Sequence, residues 1–453
     1  LNELVVEVSN HGGGFGFQMR MASALPFDEA PELALALATP ADARTDASRE
    51  LIRRSFRSRH APDWIALADA RAAQAKALAD ADAALPTTMI SRQLAMPRPA
   101  HILVRGAYDK LGDAVSADVP AILPPLPKDA PHDRLGLARW LVDPAHPLTA
   151  RVAVNRAWQQ FFGRGLVATP EDFGAQGKFP THPELLDWLA VDFVESGWDV
   201  KRLHKLLVTS RTYRQCAAVD PRALELDPHN ALLSHAARPR LDAEVLRDQA
   251  LFMAGLLNET MGGVGVRPYQ PVGIWEAVAY SGSNTARYTQ GPREGLHRRS
   301  LYTFWKRTAP LPILTTFDAP SRESCTVQRE RTNTPMQALA ALNATVYVEA
   351  ARFLAAHVIA RASEGDAPRL EQLFRIATGR RPDAREVEVL ERTLAALRAD
   401  FAAAPERAAA LLEVGDLDLP GGSRSGGLGD DELAAWTMLA NTILNLDEVL
   451  VRG

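Results

Sequence analysis

Residues 332–360 read "TNTPMQALAALNATVYVEAARFLAAHVIA". Thr334 before Pro335 is typical of a helix start, because threonine caps free backbone N–H groups and proline suits the first turn. The apolar residues that follow predict a long helix. Similar stretches later in the chain are "RLEQLFRIATGR" (369–380), "DAREVEVLERTLAALRADF" (383–401) and "ELAAWTMLANTILNLDEVLV" (432–451). We therefore predict a mainly α fold.

The stretch before this helix, "TFDAPSRESCTVQRER" (316–331), carries five ionised side chains in ten residues: Arg322, Glu323, Arg329, Glu330 and Arg331. Such a cluster is buried only if its charges are paired. One interpretation is a set of salt bridges that fasten the loop to neighbouring helices. The other is a recognition pocket for a carboxylate or sulfate, since arginine forks match those groups.

The segment "HPLTARVAVNRAWQQFFGRGLV" (146–167) predicts an amphipathic helix that ends at Gly163. Asn155 and Arg156 interrupt its apolar pattern. Because buried polar side chains need hydrogen-bond partners, we expect these two residues to form a buried polar network.

The segment "PEDFGAQGKFPTHPELLDW" (170–188) contains Asp172 and His182. Aspartate and histidine can make a metal or acid–base site, although a metal needs further ligands that the spacing does not supply. The alternative is a capping role, because Thr181 and Glu184 have the spacing of a capping box at a helix start.

Composition limits the broad class. The 453 residues predict more than one domain, and a net charge of −4 lacks the basic excess of a nucleic-acid-binding protein. No apolar run is long enough for a membrane span. The two cysteines, Cys216 and Cys325, form no disulfide framework, and whether they pair stays open. The absence of CxxCH and HExxH motifs predicts no haem c or zincin site in this chain.

The chain divides by composition into four parts. Residues 1–24 are a β-rich remnant of an upstream domain, residues 25–85 a helical hairpin, and residues 86–134 a proline-rich extended segment that wraps a neighbouring domain. Residues 135–453 form a multi-helical domain. A small mixed α/β insertion is expected at 261–312, with a strand at "RRSLYTFWKR" (298–307).

Long ordered motifs resemble a known family. The segment that starts at "HPLTARVAVNRAWQQFFGRG", the run "GGVGVRPYQPVGIWEAVAYSGSNTARY" and "HRRSLYTFWKRTAPLPILTTFDAPSRESCTVQRERTNTPMQALAALN" are similar to the planctomycete cytochrome-associated domain of unknown function fifteen-fifty-three. The resemblance runs from about Arg134 to the C-terminus. It departs from many members at Gln160 and Phe161, where those members have histidines.

The resemblance implies a setting rather than a reaction. It implies an exported protein of the periplasm or cell envelope, with haem c on an upstream cytochrome c-like module and sulfatase-like proteins as partners. Our first hypothesis is a helical module that organises partners or binds an anionic glycan, without nucleic acid. The second is an enzyme or electron-transfer accessory that acts on polysaccharide.

The second hypothesis expects Asp172, His182, Asp318 and Arg331 to converge in one cleft. The full set of candidate ligand-binding residues is Arg156, Asp172, His182, Arg307, Asp318, Arg329, Arg331 and Asn333.

Overall fold

The computed structural model describes residues 3–10, 15–22, 31–85, 87–94, 96–280, 282–420 and 429–452. The chain forms two compact units, Leu1–Val115 and Ser116–Gly453. Helices dominate and strands are few, so the prediction of a mainly α fold with a small β element is confirmed.

Within the described residues, the first unit contains two antiparallel strand pairs and three helices. Strands β1 (Glu3–Asn10) and β2 (Phe15–Ala22) pair with each other. Residues 1–2, 11–14 and 23–24 of the expected β-rich remnant lie outside the described residues. The remaining elements are helices α1 (Pro31–Ala38), α2 (Asp46–His60) and α3 (Pro62–Ala84), and strands β3 (Ala100–Leu103) and β4 (Leu111–Val115).

The second unit begins with helices α4 (Arg134–Leu141), α5 (Thr149–Phe162), α6 (Pro183–Glu195), α7 (Val200–Thr209) and α8 (Pro221–Leu226). Helices α5, α6 and α7 enclose a small core of their own. Trp158, Phe162, Leu189 and Leu207 are among the side chains buried in this core. Helix α5 ends as predicted at Gly163, whose φ of 78° is a left-handed conformation that glycine adopts without strain.

Short helices connect this part to the rest of the unit: α9 (Ala243–Met253), α10 (Ile274–Val278), α11 (Arg293–Leu296) and α12 (Pro312–Thr316). The strand predicted at 298–307 is wrong, because residues Ser300–Tyr302 form a 3₁₀ turn. The β pairing of this segment consists of isolated bridges, between Asn258 and Arg298 and between Val266 and Thr303.

The main core surrounds two apolar helices that pack on each other, α14 (Thr345–Arg361) and α18 (Asp430–Leu444). Helix α13 (Pro335–Asn343) leads into α14. Thr334 is the N-cap of α13, as predicted. The other helices of this core are α15 (Asp366–Thr378), α16 (Ala384–Ala403), α17 (Pro405–Leu412) and α19 (Asp447–Leu450).

No single helix in the described part of the chain is long and apolar enough to cross a membrane. The bent pair α13–α14, with an angle of 57°, satisfies such a test by length and composition. The apolar side chains of α14 pack mostly inside the core, where Ala351, Leu354 and Val358 are fully buried, whereas Met336 and Leu339 of α13 are exposed.

Candidate functional site

A cavity of about 1210 Å³ lies beside the C-terminal half of α5. We call it the arginine cavity, and we call residues 325–332, which form one of its walls, the charged loop. Its other lining residues come from helix α5 and from turns that are distant in sequence: Arg156, Gln159, Gln160, Gly163, Glu171 and Asp242.

Arg329 ties the charged loop to helix α9. Its Nη1 and Nη2 atoms donate to the two carboxylate oxygens of Glu244 at 2.6 and 3.2 Å, and Nη1 lies 3.9 Å from Asp242. Burial alone lowers the pKa of Arg329, but the hydrogen bonds and charge of Glu244 outweigh that effect and the pKa is raised. The fastening of the loop by salt bridges is therefore confirmed at this residue.

Arg331 is held less tightly. Its Nη2 atom lies 3.6 Å from Oδ1 of Asp242, which is an ion pair beyond hydrogen-bond distance. Its side chain is 25% exposed, against 14% for that of Asp242. Gln160 also approaches this carboxylate, with Nε2 at 3.4 Å from Oδ2. Arg331 therefore keeps donors that face the arginine cavity.

The far end of the charged loop is fixed by Asp318. Its carboxylate accepts hydrogen bonds from the backbone N–H of Thr332 at 2.7 Å and from the hydroxyl of Thr332 at 2.9 Å. Nε2 of Gln337 donates to the same group at 3.3 Å. The next residue, Asn333, accepts a hydrogen bond from Arg240 at 3.0 Å. Asp318 and Asn333 thus position the loop and its connection to α13.

Asn155 and Arg156, adjacent in helix α5, have different environments. Asn155 is fully buried, and its side chain bonds to both the N–H and the carbonyl of Val167, at 2.8 and 3.0 Å. Arg156 is exposed and lines the arginine cavity. The prediction of a buried network is confirmed for Asn155 and wrong for Arg156. Among the described residues, Arg156 has no ion-pair partner.

The remaining predicted residues lie outside this lining. Asp172 stabilises its own turn by accepting from the N–H of Gly174 at 2.7 Å. His182, rather than Thr181, is the N-cap of α6, so the expected capping box is not formed. Arg307 is exposed and lies 3.8 Å from Glu323. Of the four residues expected to converge in one cleft, only Arg331 lines the arginine cavity.

The charges around the arginine cavity balance. Three guanidinium groups, from Arg156, Arg329 and Arg331, face three carboxylates, from Glu171, Asp242 and Glu330. The cavity also contains the exposed thiol of Cys325, which is free, as is that of Cys216. The lining therefore offers both hydrogen-bond donors and acceptors.

A second polar cluster is buried and was not predicted from sequence patterns. Glu349 of α14 is fully buried, and its Oε2 lies 2.7 Å from Nε2 of His297. Its carboxylate also accepts from the hydroxyl of Tyr269 at 3.0 Å and from the N–H of Leu417 at 3.0 Å. We call these residues the Glu349 cluster.

Each group of the Glu349 cluster stabilises the carboxylate. Burial alone raises the pKa of Glu349, but the hydrogen bonds from His297, Leu417 and Tyr269 outweigh it and the pKa is lowered. Burial, followed by the charge of Glu349, raises the pKa of Tyr269. The cluster is therefore a satisfied core network. The described residues contain no group of three or more His, Cys, Asp or Glu side chains that could hold a metal ion.

A comparison with family models supports the domain of unknown function in the resemblance, whereas its planctomycete and cytochrome parts stay predictions. A family model described as PSD1, protein of unknown function (DUF1553), matches residues 133–394, which is more than half of the chain. No curated protein and no solved structure matches the chain. The matched range includes the arginine cavity and the charged loop.

Proposed function

Because the chain belongs to the PSD1 family of proteins of unknown function (DUF1553), which brings no established activity, we propose a function from the arginine cavity itself. The chain is a binding module for an anionic glycan, a sugar that carries sulfate or carboxylate groups. The observation that supports this most directly is the pair Arg156 and Arg331, whose guanidinium groups line one cavity and keep donors free.

The three arginines of the arginine cavity have two different roles, one structural and one in ligand binding. Arg329 is occupied by the two oxygens of Glu244 and holds the charged loop in place. Arg156 has no ion pair with any described residue, and Arg331 has only the longer one to Asp242. A guanidinium group with free N–H donors matches the oxygens of a sulfate or carboxylate. We therefore assign anion binding to Arg156 and Arg331.

The neutral polar groups of the cavity favour a sugar over a simple inorganic anion. Oε1 of Gln159 is buried and has no hydrogen-bond partner among the described residues. Glu171 and Glu330 line the same space and offer acceptors. Sugar hydroxyl groups are donors that satisfy such acceptors. Since the lining charges balance, we expect the cavity to hold a short charged segment of a glycan chain through local contacts rather than through net charge.

The family resemblance supports a setting for this module. We propose that the protein acts outside the cytoplasm, next to a cytochrome c-like module that carries haem c, with sulfatase-like proteins as functional partners. Secretion of a reporter fused to the full gene product, and a haem stain of that product, test the two parts of this setting. A cytoplasmic product without haem would contradict it.

The binding function is tested by retention on an immobilised sulfated polysaccharide at low salt. We expect Arg331→Ala to elute earlier than the parent chain, because it loses about 1.5 kcal/mol of charged hydrogen bonding, or roughly a factor of ten in affinity. Arg307→Ala is the matched control, since Arg307 is exposed and does not line the cavity.

Unchanged thermal unfolding of the Arg331→Ala chain shows that its fold is intact. Equal retention of this variant and the parent chain would contradict the proposal. Incubation of the parent chain with the same polysaccharide, followed by a reducing-end assay, separates binding from cleavage and tests the alternative that the chain is an enzyme.

A further inference from the structure

A second cavity, of about 840 Å³, lies beside the C-terminal half of helix α14 and shares no lining residue with the arginine cavity. It is formed by the end of α9, one face of α14, the start of α15 and residues 419–420. Its volume is within the roughly 300–1,000 Å³ of small-molecule sites. We call it the apolar cavity.

The walls of the apolar cavity are hydrocarbon. Leu256, Phe353, Ile359 and Leu419 line it together with alanines. The first three are partly buried, and Leu419 is 3% exposed. A hydrocarbon chain placed against these side chains would leave water, which is favourable in proportion to the apolar area buried.

The polar groups of the apolar cavity are basic. They are His357, Arg361 and Arg369. Nη1 of Arg361 lies 3.5 Å from Nε2 of His357. Burial, followed by the charge of Arg361, lowers the pKa of His357. The ring is therefore neutral at pH 7, and the two arginines supply the positive charge.

This positive charge has no counter-ion in the lining, because no described lining residue is an aspartate or glutamate. The nearby carboxylate of Asp366 is occupied by Arg398, with Nη2 at 2.8 Å from Oδ1. Nε of Arg369 is buried and has no hydrogen-bond partner among the described residues. The charge of Arg369 contributes to the lowered pKa of Asp366, so this arginine also has a carboxylate in electrostatic range. An apolar volume thus lies next to two guanidinium groups, and Nε of Arg369 still lacks a hydrogen-bond partner among the described residues.

We propose that the apolar cavity binds an aliphatic carboxylate, a molecule like a free fatty acid. Its chain packs against Leu256, Phe353 and Ile359, and its carboxylate accepts hydrogen bonds from Arg361 and Arg369. The lining offers a contact to each half of such a ligand, because the chain covers the apolar walls and the carboxylate accepts from the guanidinium groups. This inference does not depend on the glycan-binding function.

The proposal is tested first on the unaltered chain by isothermal titration calorimetry with octanoate, decanoate and decanol. Each added CH₂ group should tighten binding roughly fourfold, so decanoate should bind about tenfold or more tightly than octanoate. Decanol should bind at least roughly tenfold more weakly than decanoate, because it cannot pair with two arginines. Equal affinity for octanoate and decanoate, or for decanol and decanoate, would overturn the proposal.

Variants then locate the site. We expect Arg369→Gln to weaken decanoate binding roughly fivefold or more, and Ala360→Trp to weaken it by filling the cavity from an exposed position of α14. Arg392→Gln, at an exposed arginine outside the cavity, is the control. Equal affinities of the Arg369 and Arg392 variants would overturn the assignment. If the protein sedimented with anionic phospholipid vesicles but did not bind decanoate, the proposal would also be overturned, and the cavity would instead contact a lipid surface.

Discussion

The arginine cavity and the Glu349 cluster are both rich in charged and polar groups, yet they differ in how completely those groups are paired. In the Glu349 cluster each oxygen of the buried carboxylate has a donor within 3.0 Å. In the arginine cavity Arg331 has one partner at 3.6 Å. This difference in pairing indicates that charge density alone does not identify a ligand site. Unsatisfied donors next to an accessible volume are the better indicator.

The largest decrease in stability is expected for Glu349→Ala, which disrupts the Glu349 cluster. Glu349→Ala removes the carboxylate that bonds to His297 and Tyr269 and leaves those groups buried without a partner. Loss of one member of a buried ionic network costs about 3–5 kcal/mol. Urea denaturation should show this decrease in the free energy of unfolding. A loss below about 1 kcal/mol would show that the cluster contributes little to the fold.

A smaller decrease in the free energy of unfolding is expected for Arg329→Ala, which removes the hydrogen bonds between the charged loop and Glu244. We expect about 1–2 kcal/mol, a value reduced from that of buried charged bonds because the arginine side chain is 34% exposed. Urea denaturation measures it, with Arg307→Ala expected within about 0.5 kcal/mol of the parent chain. If the two variants were equally stable, Arg329 would not be the tether of the loop.

The pH dependence of stability tests whether the carboxylate of the Glu349 cluster is charged in the folded state. The pKa of Glu349 is lowered in the folded state from a usual value of 4.5. Its charged form therefore contributes stability above about pH 4.5, and that contribution is lost as the pH falls through the folded-state pKa. The stability advantage of the parent chain over Glu349→Gln should therefore decrease as the pH falls below about 4.5. A difference that stayed constant down to pH 3 would contradict the lowered pKa.

Local sequence patterns predicted the fold class because helix starts and apolar runs are local signals. Thr334 before Pro335 placed the start of α13 correctly. At α6 the start was one residue off, because both Thr181 and His182 precede Pro183, and the residue directly before a proline takes the N-cap position.

Local sequence patterns could not predict the hydrogen-bond and ion-pair partners of the charged residues. Arg329 and Glu244 are separated by 85 positions, and Glu349 and His297 by 52. The charges of the loop were visible in the sequence, but their ionic partners depend on how the helices pack. Arg156 was misplaced because its neighbour Asn155 is buried, whereas adjacent residues of a helix point about 100° apart and need not share an environment.

We expect Arg156 to serve the ligand rather than the fold, and calorimetric titration of Arg156→Ala with a sulfated oligosaccharide separates these two roles. We expect the variant to bind roughly tenfold more weakly than the parent chain, with an unfolding free energy within about 0.5 kcal/mol of the parent value. An unchanged affinity, with the parent chain binding the same ligand, would contradict the claim.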